Sequence, residues 1–466
     1  MIGLEIHCQL TKLDSKLFCS CKADYRSFEP NTNICPVCMG IPGTLPRLNK
    51  KAVEKATMIA MALNCKTPEK LGFFRKNYFY PDLPKNFQIT QLNLYGPTSI
   101  GQEGKITIDD KDIRIRRIQL EEDPGRLIYE GASERTAITL VDYNRAGTPL
   151  VEIVTEPDFE NPRHVRIFLN VLSDLLENLG VSDPTLEGAM RADANVSVEG
   201  GNRVEVKNIG SFHDLEKAIH FELTRQNSLK ERGIEIAQET RHWDDKRKIT
   251  VSSRSKEEDE DYRYILEGDI PWVAMDENSL ARWKQNMPES ISSKKERYVG
   301  KYGIASQVAD VLSSDKYYSD LFEQAHNTSN AKEIANIITT DLMGLIDTRE
   351  KREQSKLTPS HLTELVSAIS AGKITKSSAK NALQEIVKTG KSVSDIISST
   401  GMAKISDESE LAKIIDEVMT LEPNAVVQAK ENPQTINYLV GKIMQKTKGK
   451  ADPTTTLNLL KKKIEI

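Results

Sequence analysis

Four cysteines near the start of the chain, spaced Cys19-x-Cys21-x13-Cys35-x-x-Cys38, constrain its folding more than any other feature. Two close pairs separated by a loop long enough to fold back are what a ribbon-like tetrahedral zinc site requires. A closed set of four thiolates leaves no open position, so the role of such a site is structural. Disulfides, which go with a secretory context, and inert buried thiols, which have no reason to come in short paired spacings, are the competing readings. Cys8 and Cys65 fall on apolar faces and read as small core residues.

The residues just before this set alternate strictly. Ile2, Leu4, Ile6, Cys8 and Leu10 are apolar, with Gly3, Glu5, His7 and Gln9 between them, the period of a half-buried strand. Glu5 and His7 then point the same way, about 7 Å apart at Cα. A polar strand face is commonly no more than a wet one. An acid and an imidazole beside four thiolates nevertheless suggest two metal environments, one hard and one soft.

The 466 residues suffice for two to four domains, and 38% hydrophobic with 28% charged residues is ordinary for a globular chain. The apolar run from Met58 to Leu63 is too short to span a bilayer and no charged-then-apolar leader is seen, which predicts a cytoplasmic protein with no membrane partner. The net charge of −4 hides an asymmetry: residues 441–466 carry seven lysines against Asp452 and Glu465, a local excess of +5. That end reads either as a solvated helix face or as a contact for phosphates.

Organisation changes near residue 275. Before it, short alternating strands and Gly/Pro/Asn turns dominate, with two helices, one capped by Asn161 and Pro162 and ended by Gly180, the other capped by Ser211 with Asp214 and ended near Gly233. After it, helical periodicity takes over in Leu321 to Ile346, Ala379 to Val387 and Leu411 to Leu421, with polar linkers that include Lys391 to Thr400.

The catalytic candidates lie in the first part. Arg191, Asp193, Asn195, Ser197 and Glu199 alternate with small apolar residues, and Gly200-Gly201-Asn202 turns the chain into Arg203, Glu205 and Lys207. A three-residue loop pairing Glu199 with Arg203 would set Asn195 opposite Lys207 and Ser197 opposite Glu205. A solvated cross-strand ion-pair ladder is the bland alternative for this face. Glu152 and Glu156 share one side of a further strand. Glu121-Glu122-Asp123 closes another whose phase slips near Arg116-Arg117, as a bulge produces, leaving open which of Glu121 and Glu122 points inward. Carboxylates with a histidine and no thiolate suit Mg²⁺ and bound phosphate. With no G-x-x-x-x-G-K-[ST] loop, a nucleotide must be held by side chains and metal. Arg75-Lys76-Asn77 and Pro84-Lys85-Asn86 supply further cations around Tyr78-Phe79-Tyr80-Pro81-Asp82.

Several long strings together resemble one family: GLEIH at 3–7, FFRKNYFYPDLPKNFQITQ at 73–91, LEEDPGR at 120–126, VDYNRAGTPLVEIVTEPD at 141–158, MRADANVSV at 190–198, EVKNIGSF at 205–212 and YLVGKIMQKTKGKADPTTTLNLLKK at 438–462. They are similar to the B subunits of the aspartyl/glutamyl-tRNA amidotransferases, nearly end to end. The resemblance implies an α+β fold: a cradle over 1–275 with a zinc-ribbon-like insertion at 19–38, a helical domain over 276–395 and a small tRNA-binding tail over 396–466. It implies ATP-dependent phosphorylation of the side-chain carboxylate of Glu-tRNA(Gln) or Asp-tRNA(Asn), then amidation with ammonia from an amidase (glutaminase) partner, in a heterotrimer completed by a small third subunit. ATP, Mg²⁺ and structural Zn²⁺ are the implied cofactors.

On the matching positions, Glu5, His7, Glu122 and Glu152 are the implied Mg²⁺ ligands, with Glu121 undecided. Glu121, Glu122, Glu152 and Lys207 are implied in catalysis, and Asp193, Asn195, Glu205 and Asn208 in holding the nucleotide or acceptor end. No serine-rich amidase signature is present, so ammonia release belongs to a partner. The chain departs from the family where Glu260 replaces a histidine and two prolines are lost between Arg254 and Asp269. A non-catalytic tRNA-binding scaffold and a ligase of free amino acids are the competing functions. The first has no need for the four metal-face residues to converge, and the second has none for the lysine-rich tail.

Overall fold

The computed structural model describes residues 1–129, 138–255, 262–403, 405, 408–447 and 449–464. The string around Glu260 lies outside them. The chain forms two compact units, Met1–Ser290 and Ile291–Ile466, an α+β unit followed by a helical one.

The first unit is built on a mixed eight-stranded sheet. Its strand order is Ile249–Ser255, Glu239–Asp244, Val204–Lys207, Met190–Val196, Ile2–Gln9, Pro149–Thr155, Lys111–Glu122 and Gly101–Ile108. Val204–Lys207 and Glu239–Asp244 run parallel and the other neighbours antiparallel. The N-terminal strand lies near the middle because Ile2, Leu4, Ile6 and Cys8 are all buried and need cover on both sides. Together with Ala192, Ala194, Val151, Ile153, Ile118 and Leu120 they form the apolar face, on which Leu172 and Phe168 of the helix Pro162–Asn178 pack.

That helix and the helix Phe212–Glu231 begin where their capping residues predict. Asn161 accepts from the His164 amide and Ser211 from the Asp214 amide, and both chains leave through left-handed glycines, Gly180 and Gly233. Helix Phe212–Glu231 is tied to the far end of the sheet by a buried charge network. Glu222, fully buried, accepts from Arg225 Nη2 at 2.6 Å, Gln226 Nε2 at 2.8 Å and Thr250 Oγ1 at 2.8 Å, with Arg241 Nε at 3.6 Å. Replacing Glu222 by alanine leaves Arg225 and Arg241 with Glu239 as their one remaining carboxylate and removes the acceptor of Gln226 and Thr250, and is expected to cost about 3 kcal/mol in denaturant melts, with Glu222→Gln costing clearly less.

The hairpin around Gly200 differs from the three-residue-loop expectation. Asn195 stands opposite Glu205 rather than Lys207, and Val196 opposite Val204, two residues out of the expected register. The strand ends find other partners: the Ser197 amide donates to Met1 O at 3.0 Å and the Val198 amide to Gln226 Oε1 at 3.1 Å. With those groups satisfied outside the hairpin, the chain turns through a longer loop in which the Gly201 amide donates to Val198 O. A shift by two keeps every side chain on its face, so the polar alternation survives.

In the helical unit one hydrophobic cluster spans Tyr298 to Ile396 and another Leu411 to Ile464. Lys391 to Thr400 is not the linker its polarity suggested but largely a helix, Val393–Thr400. Ser392 caps it, Val393 and Ile396 are buried three residues apart, and Gly401 ends it at φ +59°. The first unit reaches to Ser290 because Trp283, on the helix Glu277–Gln285, belongs to the core under the sheet. Among the described residues no helix is long and apolar enough to cross a membrane.

Candidate active site and thiol cluster

The face of the sheet away from the helices is polar from strand to strand. Glu5 pairs with Asp193 and Val154, His7 with Arg191 and Glu152, Gln119 with Glu152, and Asn195 with Glu205. Opposed residues share a face and alternate residues follow them. Glu5, His7, Glu152, Asp193, Asn195, Glu205 and Lys207 therefore project together, joined by Arg117, Gln119 and Glu121.

Two consecutive strand residues cannot both join this field. Glu121 does: its Oε1 lies 3.8 Å from His7 Nε2 and its Oε2 accepts from Thr90 Oγ1 at 2.9 Å. Glu122 points to the opposite side, where it accepts from the Ile89 amide at 2.9 Å and forms a buried ion pair with Lys85. The structure thus brings Glu121, and not the expected Glu122, to Glu5, His7 and Glu152. The phase slip that left this open in the sequence is a bulge between Ile115 and Arg117.

Burial, with the charge of Glu152 beside it, pushes Glu121 up to about 7. Around the acids stand cations held in place. Lys207 Nζ lies 3.3 Å from Glu205 and 3.4 Å from Asp193. Burial would lower its pKa, but Asp193, Glu205 and Glu5 outweigh that and hold it above the usual lysine range. Arg117 is 3.9 Å from Glu152, and Lys76 sits over the Tyr262 ring at 4.3 Å. Arg191 pairs at 2.7 Å with the buried Asp123, whose pKa lies below its ordinary value because Arg191 and Arg145 overcome the cost of burial.

Two cavities meet along this field. One, of about 960 Å³, is rich in guanidinium groups from Arg116, Arg117, Arg203 and Arg263. The other, of about 1460 Å³, contains Asp193, Arg191 and Asn208. Glu5, Lys76, Glu121, Glu152 and Lys207 line both. Asn195 lines the smaller, and its buried Oδ1 makes no hydrogen bond among the described residues. Carboxylates with one imidazole and no thiolate form a donor set suited to a hard divalent cation. Sequence reasoning passed over Arg117, Gln119 and Thr90 as site residues. Arg117 and Gln119 alternate with Glu121 but sit beside the bulge, and Thr90 comes from a separate small sheet formed by Ile265–Leu266, Phe74–Asn77 and Phe87–Thr90.

The four cysteines converge as their spacing predicts. The Sγ atoms of Cys19, Cys21, Cys35 and Cys38 all lie within 4.8 Å of one another, an arrangement that can hold a metal ion. Cys8 is buried and Cys65 half-buried, both apart from this set. The knuckle has its own internal support. The fully buried Lys16 donates to Asn33 O at 2.9 Å with its Nζ 3.8 Å from Cys38 Sγ, and the Cys35 amide donates to the same sulfur at 3.1 Å. Asn33 fastens the loop to the rest of the unit through its amide, which donates to Asn144 Oδ1 at 2.8 Å.

An acid-and-histidine face opposed to a helix-covered apolar face, together with a four-thiol cluster that can hold a metal ion, defines the first unit as an α+β domain. Residues 1–281 match the family model described as the GatB/GatE catalytic domain, and residues 320–464 the model described as the GatB domain. The chain is 46% identical over 466 residues to the B subunit of the aspartyl/glutamyl-tRNA(Asn/Gln) amidotransferase of Saccharolobus solfataricus, covering 99% of each. It is 47% identical over 469 residues to that of Sulfolobus acidocaldarius, covering 100% of this chain and 99% of the relative. With that of Thermotoga maritima the identity is 43% over 480 residues, covering 100% and 98%. The chain belongs to the GatB family, the B subunits of the tRNA-dependent amidotransferases.

Proposed function

We propose that this chain activates the side-chain carboxylate of glutamate or aspartate esterified to tRNA and directs its amidation. The observation that carries the reading is the convergence of Glu5, His7, Glu121 and Glu152 on one polar sheet face ringed by Lys76, Arg117 and Lys207. In the proposed reaction a carboxylate oxygen of the aminoacyl group attacks the γ-phosphorus of ATP and ADP leaves. Ammonia then attacks the acyl carbon of the mixed anhydride, phosphate departs with that carboxylate oxygen, and the amide remains.

Glu5, His7, Glu121 and Glu152 would hold Mg²⁺, and the ion would supply charge compensation for phosphoryl transfer. The protein's own groups supply the rest. Arg116, Arg117, Arg203 and Arg263 make the smaller cavity the more cationic one and so favour the triphosphate there. Asn195, with an acceptor oxygen free of partners among the described residues, offers a site for a ribose or base donor. Asp193 and Glu205 fix Lys207 where it can meet a transferring phosphoryl group, and Asn208 lines the larger cavity beside it. Glu122 is kept outside this step.

The four thiols fit Zn²⁺, whose ~2.3 Å bonds to sulfur put tetrahedral ligands about 3.8 Å apart, so the knuckle closes around the ion with little movement. Within the chain we assign the cradle to the first unit, Met1–Ser290, and a tRNA-binding tail to the region after the helix Val393–Thr400, where the lysine excess of residues 441–466 suits phosphate contacts. Ammonia comes from an amidase partner, and a small third component completes a cytoplasmic complex.

The test is amide formation on Glu-tRNA and Asp-tRNA by the chain co-expressed with its amidase partner, given ATP, Mg²⁺ and glutamine. Amide that depends on ATP supports the reading. Its absence on both tRNAs from an assembled complex refutes it.

A further inference from the structure

Loop 78–86 joins the strands Phe74–Asn77 and Phe87–Thr90 and holds two aromatic rings out in water. Phe79 is 73% exposed and Tyr80 52%. The loop beneath them is well tethered. The Leu83 amide donates to Tyr80 O at 3.0 Å, Tyr143 Oη donates to Pro81 O at 2.8 Å, and the Gly125 amide donates to Asp82 O at 2.7 Å. Neighbouring exposed rings on a fixed backbone have no role in this unit's own core, and polar residues flank them: Asn77, Asp82, Lys85 and Asn86.

The position of Tyr80, with Phe79 next to it in the chain, gives the pair a use. Tyr80 lines the 1460 Å³ cavity that also reaches Glu121 and Glu152. That volume exceeds the roughly 300–1,000 Å³ of ordinary small-molecule pockets, so there is room for a nucleotide chain end as well as its esterified amino acid. Lys246 and Arg247 line the same cavity, beside Asp244 and Asp245, and can meet backbone phosphates. Aromatic faces beside cations are how proteins hold unpaired nucleotides, because every base has a face to stack.

We propose that Phe79 and Tyr80 are the stacking platform for the unpaired 3′ end of the tRNA, placing its aminoacyl group against the acidic sheet face. The proposal rests on the function proposed above. It makes both rings positioning residues, since an amino acid on the last ribose can be aimed only if the terminal base is fixed.

The test is the assembled complex carrying Phe79→Ala and Tyr80→Ala, assayed for amide formation at varied tRNA and varied ATP. The KM for misacylated tRNA is expected to rise about tenfold or more, with kcat and the KM for ATP within about twofold. A Phe79→Tyr, Tyr80→Phe pair is expected to restore it. Binding of a cytidine-cytidine-adenosine trinucleotide, followed without turnover, should weaken in parallel. Weaker trinucleotide binding in the alanine pair would uphold the platform even if the wild type formed no amide. A complex that amidates normally with an unchanged KM for tRNA overturns the platform alone. Equal losses toward tRNA and ATP, or dissociation of the amidase partner, would show that the rings serve folding or a protein interface and would also overturn it.

Discussion

Glu121→Gln is expected to lower ATP-dependent amidation by about a thousandfold while leaving the protein folded. The substitution keeps size and the acceptor for Thr90 but removes one charged oxygen from the proposed metal face. Charge stabilisation there is worth several kcal/mol, and about 4 kcal/mol is a factor of a thousand. Its effect on stability carries an opposite sign from that of its neighbour. Glu121 is buried beside Glu152 with His7 3.8 Å away, so neutralising it relieves repulsion between acids, and the melting temperature in chelator-treated buffer should hold or rise. Glu122→Gln instead breaks the buried pair with Lys85 and should lower the melting temperature, at a cost of about 3 kcal/mol. Melting curves of the two variants, run beside the amidation assay, separate the faces. Full activity in Glu121→Gln would show that the polar field is not where phosphoryl transfer occurs.

The second large effect is expected at the thiol knuckle. Cys38→Ser should abolish bound zinc, measured by elemental analysis as one ion per wild-type chain and none in the variant, and lower the melting temperature by about 10 °C or more. Structural zinc contributes about 10–16 kcal/mol of apparent binding energy in isolated fingers. Even a third of that, some 4 kcal/mol, is a shift of this size for a large domain. Residues 19–38 contain no helix or extended strand, so hydrogen bonds from Lys16, Arg26, Asn31 and Asn33 organise them, and a bound ion would add the link between the two cysteine pairs. Without thiolates the buried Lys16 also loses its compensating charge. A variant that melts like the wild type would mean that the knuckle folds on its own hydrogen bonds.

Much of this was legible in the sequence, for reasons that can be named. Strict alternation over Ile2–Gln9 and Met190–Val196 sets which side chains share a face, because a strand has period two and one face must be buried. Capping residues placed the helices Pro162–Asn178 and Phe212–Glu231, whereas a third helix of this unit, Lys50–Ala62, went unread although Asn49 caps it. What alternation does not carry is register: the hairpin closed two residues away from the shorter loop because Met1 O and Gln226 took the strand-end amides, and those partners are distant in the chain. A bulge likewise breaks the count, so the choice between Glu121 and Glu122 needed the pairing of Gln119 with Glu152. Arg117 and Thr90 escaped notice for related reasons, one beside the bulge and the other delivered by a separate small sheet. Ser392-Val393-x-x-Ile396 carried a cap and an apolar pair, but a polar background hid the short helix.

The measurement that bears most directly on carboxylate activation follows an oxygen atom. Glu-tRNA or Asp-tRNA labelled with ¹⁸O in the side-chain carboxylate is converted by the assembled complex with ATP and glutamine, and the released phosphate is analysed by mass. Transfer of the γ-phosphoryl group to the carboxylate requires one ¹⁸O in each phosphate formed with amide, in the wild type and not in Glu121→Gln. Unlabelled phosphate accompanying amide would contradict phosphorylation of the carboxylate and the role assigned to this face.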